Sequence, residues 1–419
     1  MNYPINTGVS RRSFMRILGA ASAAATTFPA FATVQSAPAA APQGGRRRNA
    51  SDMDDMRPLP PDTVIISSNE NPLGPAQSAL TAICSTASQG GRYHFDETMK
   101  TLAVFNEQYG LKRGYSALFP GSSGPLDLAL MSNIGPDKPL VYADPSYEQG
   151  PRAAETMKAP KYPVPLTATY AHDVKAMLKA HPSPGAYYIV NPNNPTGTMT
   201  PKEDIVWLVN NKPAGSVVII DEAYHHFSDG ESCIDLVAQD KDVIVMRTFS
   251  KIYGMAGLRA GFAVARPDLI MKFSNVGGPS RSLASISITS SAGARASLQD
   301  KDLVPLRKKI NADIRSETLE FLTKKGYKII PGSQGNMFMV DVKRPGHDFQ
   351  QAMLKENVAV GRSWAAMPNY VRVTVGTKQE MEKFQTAFVK CMDMAPGTVN
   401  GAASLHMPEF HVPSELYRA

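Results

Sequence analysis

Lys251 lies in Thr248-Phe249-Ser250-Lys251-Ile252-Tyr253-Gly254-Met255-Ala256-Gly257-Leu258-Arg259. An apolar run from Asp242 to Phe249 ends there in a serine and a lysine, and an arginine follows eight residues after the lysine. An amine at a strand end, beside a hydroxyl and a guanidinium, can hold a phosphorylated aldehyde as a Schiff base. A lone Ser-Lys after a strand is ordinarily a solvated lysine. Two upstream motifs change that reading. Asn191-Pro192-Asn193-Asn194-Pro195-Thr196-Gly197 follows the apolar run Tyr187 to Val190, and Asp221-Glu222-Ala223-Tyr224 follows Ser216 to Ile220.

The spacings are 27 residues from Asn194 to Asp221 and 30 from Asp221 to Lys251, each long enough for a crossover and a return strand. Side chains at such strand ends gather along one edge of a sheet, where open α/β folds bind ligands. Singly, an Asn-Pro run is a turn and an Asp-Glu pair a solvated helix start. Three in order, each at a strand end, predict one site. Apolar runs at 139–143, 187–190, 216–220, 242–249 and 261–265 alternate with helical stretches, which predicts a mostly parallel, buried sheet. After about 300 come a helix, short strands near 327–330, 336–342 and 371–375, and a last helix, the order of a smaller domain. No internal repeat is visible.

With Ser67-Ser68-Asn69-Glu70-Asn71-Pro72-Leu73-Gly74-Pro75 near the start and Val371-Arg372-Val373-Thr374-Val375-Gly376-Thr377 near the end, these motifs resemble the fold-type I aminotransferases, most closely the histidinol-phosphate aminotransferase branch. The resemblance covers roughly Pro60 to Met394. It is specific for fold and cofactor and weaker for substrate. It implies an α/β transferase whose large domain holds a mostly parallel sheet of the seven-stranded type, followed by a smaller α/β C-terminal domain. It also implies pyridoxal 5'-phosphate as cofactor. Lys251 would bond its aldehyde, Asp221 would keep its ring nitrogen protonated, Asn194 and Tyr224 would serve its phenolic oxygen, and Tyr147 in Asp144-Pro145-Ser146-Tyr147 would stack on its ring. Lys251, Asp221 and Tyr224 form the implied catalytic set.

A phosphate needs amides, hydroxyls and a cation. Phe119-Pro120-Gly121-Ser122-Ser123-Gly124-Pro125 opens a helical pattern from Leu126, and a helix N-terminus offers free amides and a positive dipole end. Ser122, Ser123, Ser250 and Arg259 would complete that cup; the family usually has an acidic pair where this chain has Ser123-Gly124. Tyr93 in Arg92-Tyr93-His94 matches a tyrosine that reaches the phosphate in the neighbouring subunit, which implies a homodimer with a shared active site. On the substrate side, Arg372 stands where the family binds the carboxylate, a group a bidentate arginine recognises best. Asn71 is expected to line the same pocket, and Arg362 in Gly361-Arg362-Ser363-Trp364 to face the distal end of the substrate. The implied partners are small molecules, an amino acid and a 2-keto acid. Decarboxylation, β-elimination and racemisation use the same cofactor and stay open, as does a non-catalytic binding protein of this fold. A binding module has no need of a Schiff-base lysine.

The first 32 residues carry a second signal. Ser10-Arg11-Arg12-Ser13-Phe14-Met15-Arg16, an alanine-rich apolar stretch from Ile17 and Ala30-Phe31-Ala32 form a twin-arginine signal peptide with a cleavage pattern. The expected partner is the twin-arginine export machinery and the expected location the periplasm, with an uncleaved membrane anchor as the alternative. That route carries folded proteins, which suits acquisition of a cofactor before export and speaks against a routine role in cytoplasmic histidine synthesis. The expected organisation is signal peptide 1–32, linker 33–57 with Arg46-Arg47-Arg48, a segment 58–91 joining the small domain, a large domain 92–300, a small domain 301–395 and a tail 396–419 without periodicity.

The chain has 44 Lys+Arg and 37 Asp+Glu, a net charge of +7. Removing the three arginines of residues 1–32 leaves +4 on a chain of this length, and no basic helix with interleaved aromatics suggests nucleic acid. Cys84, Cys233 and Cys391 have neither metal-site spacing nor disulfide-scaffold density, so one oxidised pair and three buried thiols both fit. His225-His226 point apart on any regular element, which favours packing over metal; no metal site is expected.

Overall fold

The computed structural model describes residues 59–277 and 286–394. The expected signal peptide, linker and C-terminal tail lie outside the described residues. Eleven strands are described: β1 Val64–Ile66, β2 Ser116–Phe119, β3 Leu140–Asp144, β4 Lys161–Pro165, β5 Ala186–Val190, β6 Val217–Asp221, β7 Val243–Thr248, β8 Gly261–Val264, β9 Met337–Asp341, β10 Val358–Val360 and β11 Tyr370–Thr374.

Seven of them form one sheet in the order β2-β8-β7-β6-β5-β3-β4. The pairings of β4, β3, β5, β6 and β7 are parallel, whereas β8 runs antiparallel to both β7 and β2. Strands β5, β6 and β7 are buried at every position, as continuous apolar runs require when helices cover both faces. Period-two alternation then divides the core. Tyr187, Ile189, Val218, Ile220, Val243 and Val245 pack on one face. Tyr188, Val190, Val217, Ile219, Ile244 and Met246 pack on the other.

The direction of each strand decides where the chemistry goes. Parallel strands β3, β5, β6 and β7 all deliver their carboxyl ends to one edge, with Val190 opposite Asp221 and Asp221 opposite Met246. Because β8 is reversed, its first residue, Gly261, lies beside Thr248, and the last residue of β2, Phe119, lies beside Gly261. The segments after β2 and β7 and before β8 therefore meet at the same edge.

A second layer has its own core of Val64, Ile66, Leu322, Phe338, Val340, Phe349, Phe384 and Phe388 among others. It pairs β1 with β10 in parallel and β9 with β11 antiparallel, and packs them against helices Leu303–Lys324, Gly346–Lys355 and Lys378–Asp393. The last helix opens on a capping box in which Thr377 and Glu380 satisfy each other's backbone amides. The strand expected near 327–330 is reduced to a bridge between Ile329 and Val340. Pro331 and Gly332 follow directly and end the ladder. Cys233 and Cys391 are buried free thiols, and Cys84 is a free, exposed one.

Candidate active site

The segment Ser67-Ser68-Asn69 ties the two layers together. The Lys251 amine donates to the Ser68 carbonyl at 3.1 Å. The Arg372 guanidinium donates to the preceding carbonyl, that of Ser67. Asn69, buried and held at φ 54°, donates from Nδ2 to the Tyr224 hydroxyl at 3.0 Å and takes the Thr374 hydroxyl on Oδ1 at 3.0 Å. Asparagine tolerates that left-handed conformation better than most residues. Arg372, on β11, also donates to Asn194 Oδ1 at 2.8 Å, and Lys251 Nζ stands 5.4 Å from the Tyr224 ring centre. Lys251, Tyr224, Asn194 and Arg372 are thereby brought into one cluster.

Asp221, the last residue of β6, is 5 % exposed. Burial pushes its carboxyl from 3.8 up to about 6, against the Ala223 amide at 3.1 Å, the Tyr188 hydroxyl at 3.4 Å and the charge of Lys251, which all favour ionisation. This carboxylate is short of positive charge, which suits it to a cationic ring nitrogen. Tyr147, half-buried after β3, is raised to about 12 by burial first and then by the nearby Tyr224 and Asp221.

The expected phosphate cup assembles as the sheet topology dictates. Arg259 donates to Ser250 Oγ at 3.3 Å and to the Ala256 carbonyl at 3.0 Å. Its Nη2 lies 2.1 Å from where a Cβ on Gly121 would stand, and Gly121 has φ 81°. The left-handed backbone favours glycine there, and any side chain would push the Arg259 guanidinium out of its place. Ser122 and Ser123 come next, where the helix Ser123–Met131 begins and its first amides have no helical partner. A Cβ at Gly261 would lie 2.7 Å from the Ser122 nitrogen, so β8 also needs a glycine to approach this closely.

Not every expected residue joins the cluster directly. Asn71 braces the loop, donating to the Ile252 carbonyl at 3.0 Å and accepting from the Leu73 amide at 3.1 Å. Arg362 makes two parallel hydrogen bonds to the Glu148 carboxylate and lies over the Trp364 ring, 4.2 Å from its centre. Tyr93 is 91 % exposed and stacks on Phe95 at 5.9 Å. Asn69, Tyr188, Glu148 and Trp364 are not recognisable as site residues from sequence. Asn69 sits in the same motif as Asn71, two residues before it, Trp364 two residues after Arg362 and Glu148 directly after Tyr147; nothing in a linear pattern reveals Tyr188 as a neighbour of the site.

Behind the cluster, Glu222 and Arg247 form a buried ion pair at 2.9 Å. Burial would raise the Glu222 carboxyl, but Arg247, His225 and the donors Cys233 N and Ser232 Oγ together hold it below the usual range. Arg247 also donates to His226 Nε2 at 3.1 Å and Ser232 Oγ at 2.8 Å. Burial pushes the imidazole of His225 down to about 4 and that of His226 well below its ordinary value. The pair joins the residue after Asp221 to the strand that ends before Lys251. Losing one partner of such a pair costs about 3–5 kcal/mol, because the other charge stays buried.

A sheet whose central strands are fully buried, a strand-end lysine, a buried carboxylate short of positive charge and a glycine-arginine cradle define a pyridoxal-phosphate-type transferase site. The sequence model of the family described as aminotransferase class I and II matches residues 61–388, and the chain belongs to that pyridoxal phosphate-dependent family. It is 32 % identical over 354 residues to histidinol-phosphate aminotransferase 2 of Nitrosospira multiformis, covering 83 % of this chain and 88 % of that one. It is 29 % identical to an aromatic amino acid aminotransferase of Cutibacterium acnes, over 76 % of this chain and 90 % of that one. A crystal structure of histidinol-phosphate aminotransferase from Sinorhizobium meliloti, in complex with pyridoxal-5'-phosphate, superposes with TM-score 0.70 at 22 % identity, covering 82 % of this chain and 97 % of the other. At that identity the likeness establishes the fold.

Proposed function

We propose that this protein is an exported aminotransferase that moves an amino group between an amino acid and a 2-keto acid, with Lys251 as the residue that bonds the cofactor. One observation carries this reading. Lys251 Nζ and the Arg372 guanidinium hang from consecutive carbonyls, Ser68 and Ser67, so a candidate reactive amine and a candidate carboxylate anchor are fixed relative to each other by one short segment.

The residues present fit pyridoxal phosphate. Ser122, Ser123, Ser250 and Arg259 would hold its phosphate, Tyr147 its ring face, Asp221 its ring nitrogen, and Asn194 and Tyr224 its phenolic oxygen. Bound there, the cofactor supplies an electron sink for charge that develops on the substrate α-carbon. The chain's own work is positional and acid-base. Arg372 orients the substrate through its carboxylate. Lys251 Nζ, as a free amine, takes the proton from the α-carbon and returns it during the reaction. Asn69 holds the Tyr224 hydroxyl in place. Asp221, buried, keeps positive charge opposite it favourable.

The reading is tested by following the visible absorbance of the purified holoenzyme while amino acids are added singly. A donor is expected to remove the visible band and release its keto acid. A protein that no amino acid converts would refute amino acid transamination.

Export rests on Arg11 and Arg12 and the apolar stretch behind them. Replacing both with lysine is expected to retain the protein in the cytoplasm, by fractionation; unchanged export would refute the twin-arginine route. A homodimer is supported by Leu80, Tyr93, Phe95 and Met99, large apolar side chains exposed on or beside the two N-terminal helices Gln77–Ala87 and Phe95–Tyr109. At 91 % exposure Tyr93 contributes little to the packing of its own chain, which suits delivery to a neighbouring site.

A further inference from the structure

We infer that the Glu148–Arg362 pair sets the class of substrate side chain: it favours amino acids with uncharged, aromatic or apolar side chains over those that carry a distal carboxylate or phosphate. The inference rests on the reading of Arg372 as the carboxylate anchor. Glu148 directly follows Tyr147, the expected ring stacker, and Arg362 belongs to the loop that leads into β11 and Arg372. Two parallel hydrogen bonds join them, so the pair spans from one wall of the site to the other.

The position of Arg362 is fixed. A Cβ on Gly361 would stand 2.6 Å from the Arg372 carbonyl and 3.1 Å from Arg372 Nε, so the loop packs against the anchor itself. Arg372 also donates its amide to the Arg362 carbonyl at 3.1 Å. Both guanidinium groups face one aromatic ring, with Arg362 4.2 Å and Arg372 5.4 Å from the centre of Trp364. Trp364 is locked by donation from its indole nitrogen to the Ser146 carbonyl at 3.2 Å. Around it Ile330, Met339, Tyr170, Met367 and Tyr370 make an apolar cluster.

Two arginines this close to one ring would make a receptor for a molecule with an anion at each end. Glu148 changes that arithmetic. Its carboxylate already occupies the fork of Arg362 in the bidentate geometry an incoming carboxylate or phosphate would need. A distal anion must displace Glu148 and then sit near the displaced negative charge, which works against it. An uncharged side chain meets a neutralised pair, backed by the buried Trp364 ring. The side chains are 29 % and 27 % exposed, so solvent and ligand can reach the pair.

The test uses the holoenzyme, with glutarate as a two-ended anion, titrated by calorimetry into wild type, Glu148→Gln, Glu148→Ala and Glu148→Gln/Arg362→Gln. Both single variants are expected to bind glutarate at least about tenfold more tightly than wild type, and the double variant to lose that gain. In turnover, the kcat/KM ratio of L-glutamate to L-phenylalanine is expected to rise by a similar factor in Glu148→Gln. Equal glutarate affinity in wild type and both single variants overturns the inference, as does a gain that survives removal of Arg362. If wild type converts no amino acid, the proposed function falls, while the glutarate comparison still decides the role of Glu148.

Discussion

Replacing Lys251 with alanine is expected to lower turnover by at least about 10,000-fold, the upper end of what a positioned proton-transfer group contributes. The lysine has two duties, to bond the cofactor and to move the substrate α-proton, and its Nζ stands among the Ser68 carbonyl, the Tyr224 ring and the charge of Asp221. Activity alone would not separate this from misfolding, so a second readout is chosen. Borohydride treatment is expected to add the reduced cofactor covalently to the wild-type chain at Lys251, by intact mass and peptide mapping, and to leave the mass of the variant unchanged. Its fold should survive, because the lost contacts are one hydrogen bond and one ring contact from a half-buried amine. A variant that is still labelled at another lysine and still turns over would overturn the assignment.

Asp221→Asn is expected to act in opposite directions on stability and catalysis. Burial raises the Asp221 carboxyl from 3.8 to about 6. The folded state thus holds the proton more tightly than the unfolded one. Below about pH 3.8 both states are protonated and burial carries no charge penalty. The penalty grows as pH climbs towards 6 and is complete above it, amounting to about 3 kcal/mol for a shift of this size. Asparagine never ionises, so the apo variant should be more stable than the apo wild type by up to about 3 kcal/mol at pH 7 and nearly equal to it at pH 4, by urea denaturation. Its turnover should fall about 100- to 1,000-fold, since a preorganised charge opposite the cofactor ring is lost. A functional residue that destabilises its own fold is the expected trade. If the apo variant gains no stability at pH 7, or gains equally at pH 4, burial is not what sets this carboxyl.

The central sheet and the main chemical actors are legible in the linear chain. Tyr187 to Val190, Val217 to Ile220 and Val243 to Met246 are unbroken apolar runs, and only strands buried on both faces or core helices are built that way; their length and punctuation select strands. Asn194, Asp221 and Lys251, each just beyond one of these runs, must then share an edge, because parallel strands end on the same side. Strand β4 is illegible for a local reason. Pro163 and Pro165 place it at the edge of the sheet and interrupt its pattern. Three-residue strands β1 and β10 carry too little periodicity to read.

Contacts across the layers, by contrast, exist only once the fold has closed. Tyr188 reaches Asp221 because adjacent parallel strands bring residues 33 apart to hydrogen-bonding distance. Asn69 meets Tyr224 and Thr374, and Arg362 meets Glu148, across separations of 155, 305 and 214 residues. Such pairings depend on how two packed layers seat against each other, and local periodicity carries no record of that. The Asp221 carboxyl is the clearest instance. Its place at the end of a strand is written in the chain, whereas its proton affinity follows from the burial that the closed fold supplies.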